Sequence, residues 1–182
     1  MPKNAGDKAL EIKSAFQSND FSSLKALGNE CIQVAVIEND HVMAKLSVIA
    51  YSLYKMISKQ HIVRNSKWPK AVASMTNALE KSASASRDGR EEEFERQLNN
   101  VIRDIELVDN ELSNFARNIF EKAKIKQAST AYASGLSMQQ AASLTGASPK
   151  ELQFYIGVTR IHDEQPVHKN IRQRIDSLRD LP

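Results

Sequence analysis

The chain has 182 residues, enough for one or two small domains with a real core. Its hydrophobic content of 41% and charged content of 26% are those of an ordinary globular protein. The formal net charge of +3 permits an acidic partner without requiring one, and a single cysteine excludes a disulfide framework.

Six glycines and five prolines leave little turn chemistry to serve a sheet, while runs of Ala, Leu, Lys and Glu favour helix. The expected fold class is therefore all-α. The opening MPKNAGDK lacks an apolar signal core, and no stretch approaches the roughly 20 apolar residues of a membrane span. A cytoplasmic protein with no membrane partner is expected. The predicted organisation is an N-terminal helical bundle over 1–81, a linker over 82–89 and a long connecting helix over 90–134. A helix-turn-helix over 135–164 and a final helix over 165–182 follow.

In chain order, Asp7 caps a first helix with Ala9, Ile12 and Phe16 on one side. Ser18-Asn19-Asp20 stops it and caps a second helix from Phe21 to Glu38, with Leu24, Leu27, Cys31 and Val34 at helical spacing. Asn39-Asp40 repeats the stop and cap. The third helix, His41 to Lys59, carries Val42, Leu46, Ile49, Leu53 and Met56, and Met43, Ala50, Tyr54 and Ile57 widen that stripe. A stripe so wide marks the centre of a bundle. After a loop over His61–Asn65, Ser66 caps a fourth helix with Trp68, Val72, Met75 and Leu79 inward. Ser82–Gly89, SASASRDG, is small, polar and unpatterned, and reads as the linker.

Beyond it, Phe94, Leu98, Val101, Ile105, Val108, Leu112, Phe115 and Ile119 alternate steps of four and three, a heptad seam. The helix carrying them runs from Arg90 to Ser134, either unbroken or broken near Asp109-Asn110. A homodimeric coiled coil is one use of the seam, but in a parallel pair Asp104 would face Asp109 of the other chain. Packing on the chain's own N-terminal helices is preferred. No acidic residue occurs between His41 and Leu79, where Lys45, Lys55, Lys59, Arg64, Lys67 and Lys70 lie, so an acidic helix flank suits that face.

Ser137–Gly157 holds two helix starts. Ser137 with Gln140, and Ser148 with Pro149 and Glu151, are capping-box patterns. Between them Gly146 suits the left-handed residue that ends one helix and turns the chain. Ala142, Gly146, Leu152 and Ile156 then stand where a helix-turn-helix needs a small residue, a turn and an apolar inner face. On the second helix Lys150 and Gln153, with Phe154 beside them, fall outward. Gln can read an adenine edge, and Lys can reach guanine or phosphate. Arg160 and Lys126 are candidate phosphate contacts. From Gln127 onward six basic residues meet five acidic ones, a weak excess for a DNA binder, so use of the pair for packing alone stays open.

A second basic patch, Lys59, Arg64, Lys67 and Lys70, lies within Lys55–Lys70. With Trp68 as a stacking surface it would suit RNA or the ribosome. Trp68 also stands at core spacing with Val72 and Met75, and the buried corner is the favoured reading. His41, His61, His162 and His168 lack metal-ligand spacing, and His162-Asp163-Glu164 reads as a capping turn. No phosphate-cradling glycine loop, nucleophile elbow or paired-carboxylate motif is present, so no metal, cofactor or catalytic set is expected. A last helix, Val167 to Leu181, closes the chain with Ile171, Ile175 and Leu178 on one side.

From Lys124 to Glu164 the chain resembles small archaeal proteins whose helix-turn-helix is shared with antitoxin-type regulators. The residues concerned are Ala131, Tyr132, Ala133, Gly135, Leu136 and Ser137, then Ala141, Ala142, Leu144 and Gly146, then Tyr155, Ile156 and Gly157. The resemblance covers less than a quarter of the chain. It implies a regulatory or toxin-neutralising role, with DNA or a protein as partner.

Overall fold

A computed structural model of the chain describes residues 5–112 and 118–159. Among them are nine helices and no strand, so the fold class is all-α. Arg160 and the predicted last helix lie outside the described residues.

Local capping sets the first boundaries. Helix α1 (Ala5–Gln17) ends in a left-handed Asn19, and Asp20 begins α2 (Phe21–Glu38) by accepting the Ser23 N–H at 2.9 Å. That bond holds the Asp20 carboxyl below its ordinary pKa. Asn39, again left-handed, ends α2, and Asp40 caps α3 (His41–Ile57) through the N–H groups of Val42 at 2.8 Å and Met43 at 3.0 Å. Twelve of the 17 residues of α3 are buried, which makes it the centre of the molecule. Helices α1 and α2 pack against it.

The region expected to be a loop contains a short helix, α4 (Gln60–Val63), whose Ile62 is fully buried. Helix α5 (Trp68–Arg87) starts one residue after Lys67, whose N–H bonds the Asn65 side chain at 3.0 Å. Ser66 is therefore not the cap. Trp68 is buried edge-on against Phe16, with ring centroids 5.9 Å apart.

The predicted linker at 82–89 is corrected by α5 itself, which continues to Arg87. Ser82, Ala83 and Ala85 are buried there, and the Ser82 hydroxyl donates to the Leu79 carbonyl at 2.7 Å. Small side chains serve close packing as well as flexibility, and here they let α1 press against α5. A Cβ added at Gly6 would lie 2.7 Å from the Ser86 Cβ. The chain turns only at Gly89, with φ +69°.

The connecting helix expected over 90–134 takes its broken form, with Asp109-Asn110 still inside the first piece. It is two helices, α6 (Glu91–Leu112) and α7 (Ile119–Ala133). The buried Asp109 carboxylate accepts the Ile119 N–H at 2.6 Å, whereas a straight helix holds residues ten apart about 15 Å along its axis. Seam residues Phe94, Leu98, Val101, Ile105 and Val108 are buried within this one chain, where α6 packs on α5 and touches α3. The Leu112 side chain and all of Phe115 lie outside the described residues. Lys45 of α3 pairs with Glu95, and Ser74 of α5 donates to Asp104 at 2.6 Å, so the acidic flank meets the basic face. Helix α7 crosses α2 and α3, with Ala123, Gln127, Ala128 and Ala131 buried. The buried side-chain amide of Gln127 has no hydrogen-bond partner among the described residues.

Two short helices complete the described chain. The full capping box at Ser137 and Gln140 starts α8 (Met138–Thr145). Helix α9 (Pro149–Thr159) follows the turn at Gly146, and both pack on α7. The buried apolar residues of all these helices form one continuous core.

If the seam serves this chain's own core, Leu98→Ala should lower stability by about 2–5 kcal/mol in urea unfolding, with a midpoint independent of protein concentration. A loss under about 1 kcal/mol, or a midpoint that rises with concentration, would assign the seam to a second chain.

Candidate nucleic-acid interface

The geometry of α8 and α9 follows from three residues. Gln140 accepts the Ser137 N–H at 3.0 Å while Ser137 accepts that of Gln140 at 3.2 Å, which fixes the start of α8. Gly146 ends it with φ +70°, a conformation that strains any residue carrying a Cβ, and its N–H and that of Ala147 both bond the Ala142 carbonyl. Ser148 then takes the Glu151 N–H at a long 3.4 Å as α9 begins.

Helix α9 is held by one side. Leu152 is fully buried and Ile156 half-buried, while Lys150, Gln153, Phe154, Gly157 and Val158 are exposed. Lys150 and Gln153 therefore share an open face, with Glu151 also in solvent. Two large apolar residues share the exposed side, Phe154 at 74% and Val158 at 67% exposure.

Lys126 is not on that face. It is half-buried on α7 and lines a cleft of about 210 Å³ with Lys55, Lys59 and Lys122. The cleft draws Lys55 from the last turn of α3, Lys59 from the start of α4, and Lys122 and Lys126 from one face of α7. Tyr51, Ile119 and Tyr155 of α9 complete its walls. The Lys55 ammonium lies 5.4 Å from the Tyr51 ring centroid and 5.1 Å from that of Tyr54. Burial pushes the Tyr51 phenol above its ordinary pKa, so at neutral pH it stays a neutral donor. The sequence signal for this site is a pair of helical ladders, Tyr51-Lys55-Lys59 and Ile119-Lys122-Lys126. Each ladder is legible alone; their meeting is not.

The second basic patch is divided by the fold. Lys59 belongs to this cleft. Lys67 and Lys70 line a separate groove of about 400 Å³ between α5 and α6, which Asp104 also lines. Arg64 is exposed at the end of α4 and lines neither. Trp68 is 6% exposed and offers no stacking surface.

Comparison with family models, curated proteins and solved structures finds no match.

Among the described residues no three His, Cys, Asp or Glu side chains converge as metal ligands, and no helix is long and apolar enough to cross a membrane. Cys31 is fully buried, and burial pushes its thiol up to about 12. An unfolded thiol ionises near about 8.5. The folded state therefore keeps a proton that the unfolded chain releases. The stability this represents is complete below about pH 8.5 and is lost as pH rises toward about 12. Cys31→Ala should flatten the alkaline fall in stability, measured as urea midpoints from pH 8 upward, and the native thiol should resist an aromatic disulfide reagent that labels it at once in urea. Native labelling at the unfolded rate would contradict the burial.

Proposed function

We propose that this chain is a non-enzymatic, DNA-associated regulator that presents α9 as the recognition helix of a helix-turn-helix. The observation that carries the reading is the shared exposure of Lys150 and Gln153 on a helix anchored by its opposite side through Leu152. A carboxamide held outward can pair with the N6 and N7 edge of adenine, and the lysine beside it with guanine or phosphate. Arg160, which follows α9 in the sequence, is assigned to phosphate contact. Lys126 and its neighbouring lysines add positive potential beside α9, which would draw a polyanion toward it. The resemblance of 124–164 to antitoxin-type regulators is in keeping with such a role, and regulators of this kind commonly act as homodimers on paired half-sites.

Gel shifts with genomic fragments test the reading. Binding at low salt should weaken steeply as salt is raised. Lys150→Glu should weaken it by about tenfold or more, and Gln153→Ala should relax preference among sequences more than it lowers affinity. No binding at low salt, or no effect of Lys150→Glu, would end this reading.

The exposed pair Phe154 and Val158 favours a second one, a protein-interaction module in which α9 grips a partner such as a toxin. A stoichiometric partner that survives nuclease treatment and is lost with Phe154→Ser would support it over DNA. An RNA or ribosome role through the second patch is less well supported, since its lysines are divided and Trp68 is buried.

A further inference from the structure

The cleft between α3, α7 and α9 is more than a patch of positive charge. Four partly covered lysines outside the cleft meet carboxylates. Lys8 pairs with Glu11 at 2.8 Å and Glu30 at 2.7 Å, Lys13 with Glu80 at 3.0 Å, Lys124 with Glu121 at 2.7 Å, and Lys45 with Glu95. No acidic side chain is among the described residues lining the cleft, and Lys55, Lys59 and Lys122 have no ion pair there. Lys122 and Lys126 sit four residues apart on α7, where like charges repel, and Lys59 follows closely on the end of α3 that carries Lys55. The fold then brings the two ladders against each other. An anion in the cleft would offset that repulsion.

The walls limit which anion. Drug-sized ligands occupy pockets of about 300–1,000 Å³. At about 210 Å³ this cleft is smaller, and it suits a compact, highly charged group. Ammonium groups supplied by α3, α4 and α7 suit the several oxygens of a phosphoryl group, and a neutral tyrosine can add a donor. We propose that the cleft lined by Lys55, Lys59, Lys122 and Lys126 is a binding site for a phosphoryl or pyrophosphoryl group. Its source is either a small phosphorylated molecule or the phosphate backbone of a nucleic acid. Tyr155 of α9 stands in the wall, so an occupied cleft also bears on the helix carrying Lys150 and Gln153. The site does not rest on the DNA reading.

The test uses the full chain and inorganic pyrophosphate. Pyrophosphate should raise the thermal midpoint above that in sodium chloride of equal ionic strength, and calorimetric titration should give one site per chain. In a Lys55→Gln, Lys122→Gln double variant the affinity should fall at least tenfold, while Lys81→Gln, an exposed lysine on α5, should leave it unchanged. Lys122→Gln alone, at an exposed position, should weaken binding several-fold with an unchanged far-ultraviolet spectrum, which separates a lost contact from a lost fold. No rise beyond the chloride control, or binding indifferent to the double variant, would overturn the proposal. A short duplex that competes with pyrophosphate assigns the site to backbone phosphate. A duplex that binds without displacing it, or does not bind at all while pyrophosphate does, assigns it to a small molecule.

Discussion

The burial of α3 on almost every side is the constraint from which the rest of the molecule follows. A helix with twelve of 17 residues buried needs neighbours all round, and α1, α2, α4, α6, α7 and α8 supply them. Its polar residues are accommodated by backbone carbonyls: Ser47 donates to Gly28 at 2.7 Å and Ser52 to Val48 at 2.7 Å, so neither hydroxyl is buried without a partner. The hydrogen bond to Gly28 also ties α2 to α3. Helix α7 lies across both, α8 packs on α3 and α7, and α9 packs on α7 and α8. The placement of Lys150 and Gln153 is thus inherited from the α3–α7 contact rather than set by the short helices alone.

Asp109 is the joint in that inheritance. One carboxylate near the end of α6 caps the first residue of α7 across the change of direction, so the strongly acidic helix and the lysine-bearing helix share a fixed point. Because the core runs without interruption from α1 to α9, the bundle and the C-terminal helices cannot be treated as separate units joined by a flexible tether. A disturbance in the bundle has a packed route to α9.

What could be read from the sequence was chemistry that acts within one turn. Asp20, Asp40 and Ser137 cap the helices expected of them, and Gly146 turns the chain as a left-handed residue should. The exposure of Gln153 and the burial of Leu152 followed from the period of one helix. Some readings that required knowing a neighbour failed. The small residues of 82–87 look the same whether they are flexible or pressed against α1, and only the proximity of Gly6 decides between them. The heptad seam told which face of α6 is buried but not where the chain changes direction, because Ile119 keeps the period while starting a new helix. The lysine cleft was out of reach for the same reason: Lys59 and Lys126 are assembled by tertiary packing, and neither ladder alone implies the other.

The small-residue contact between α1 and α5 also orders events during synthesis. Helix α1 leaves the ribosome well before α5, yet the surface around Gly6 that accepts Ser86 has its partner only once residues 82–87 have emerged. Until then α1 can lean on α2 and α3 alone. At the usual pace of translation that interval lasts seconds, long compared with the formation of a helix. The nascent chain therefore exposes an apolar flank for a defined window, and the docking of α5 closes it.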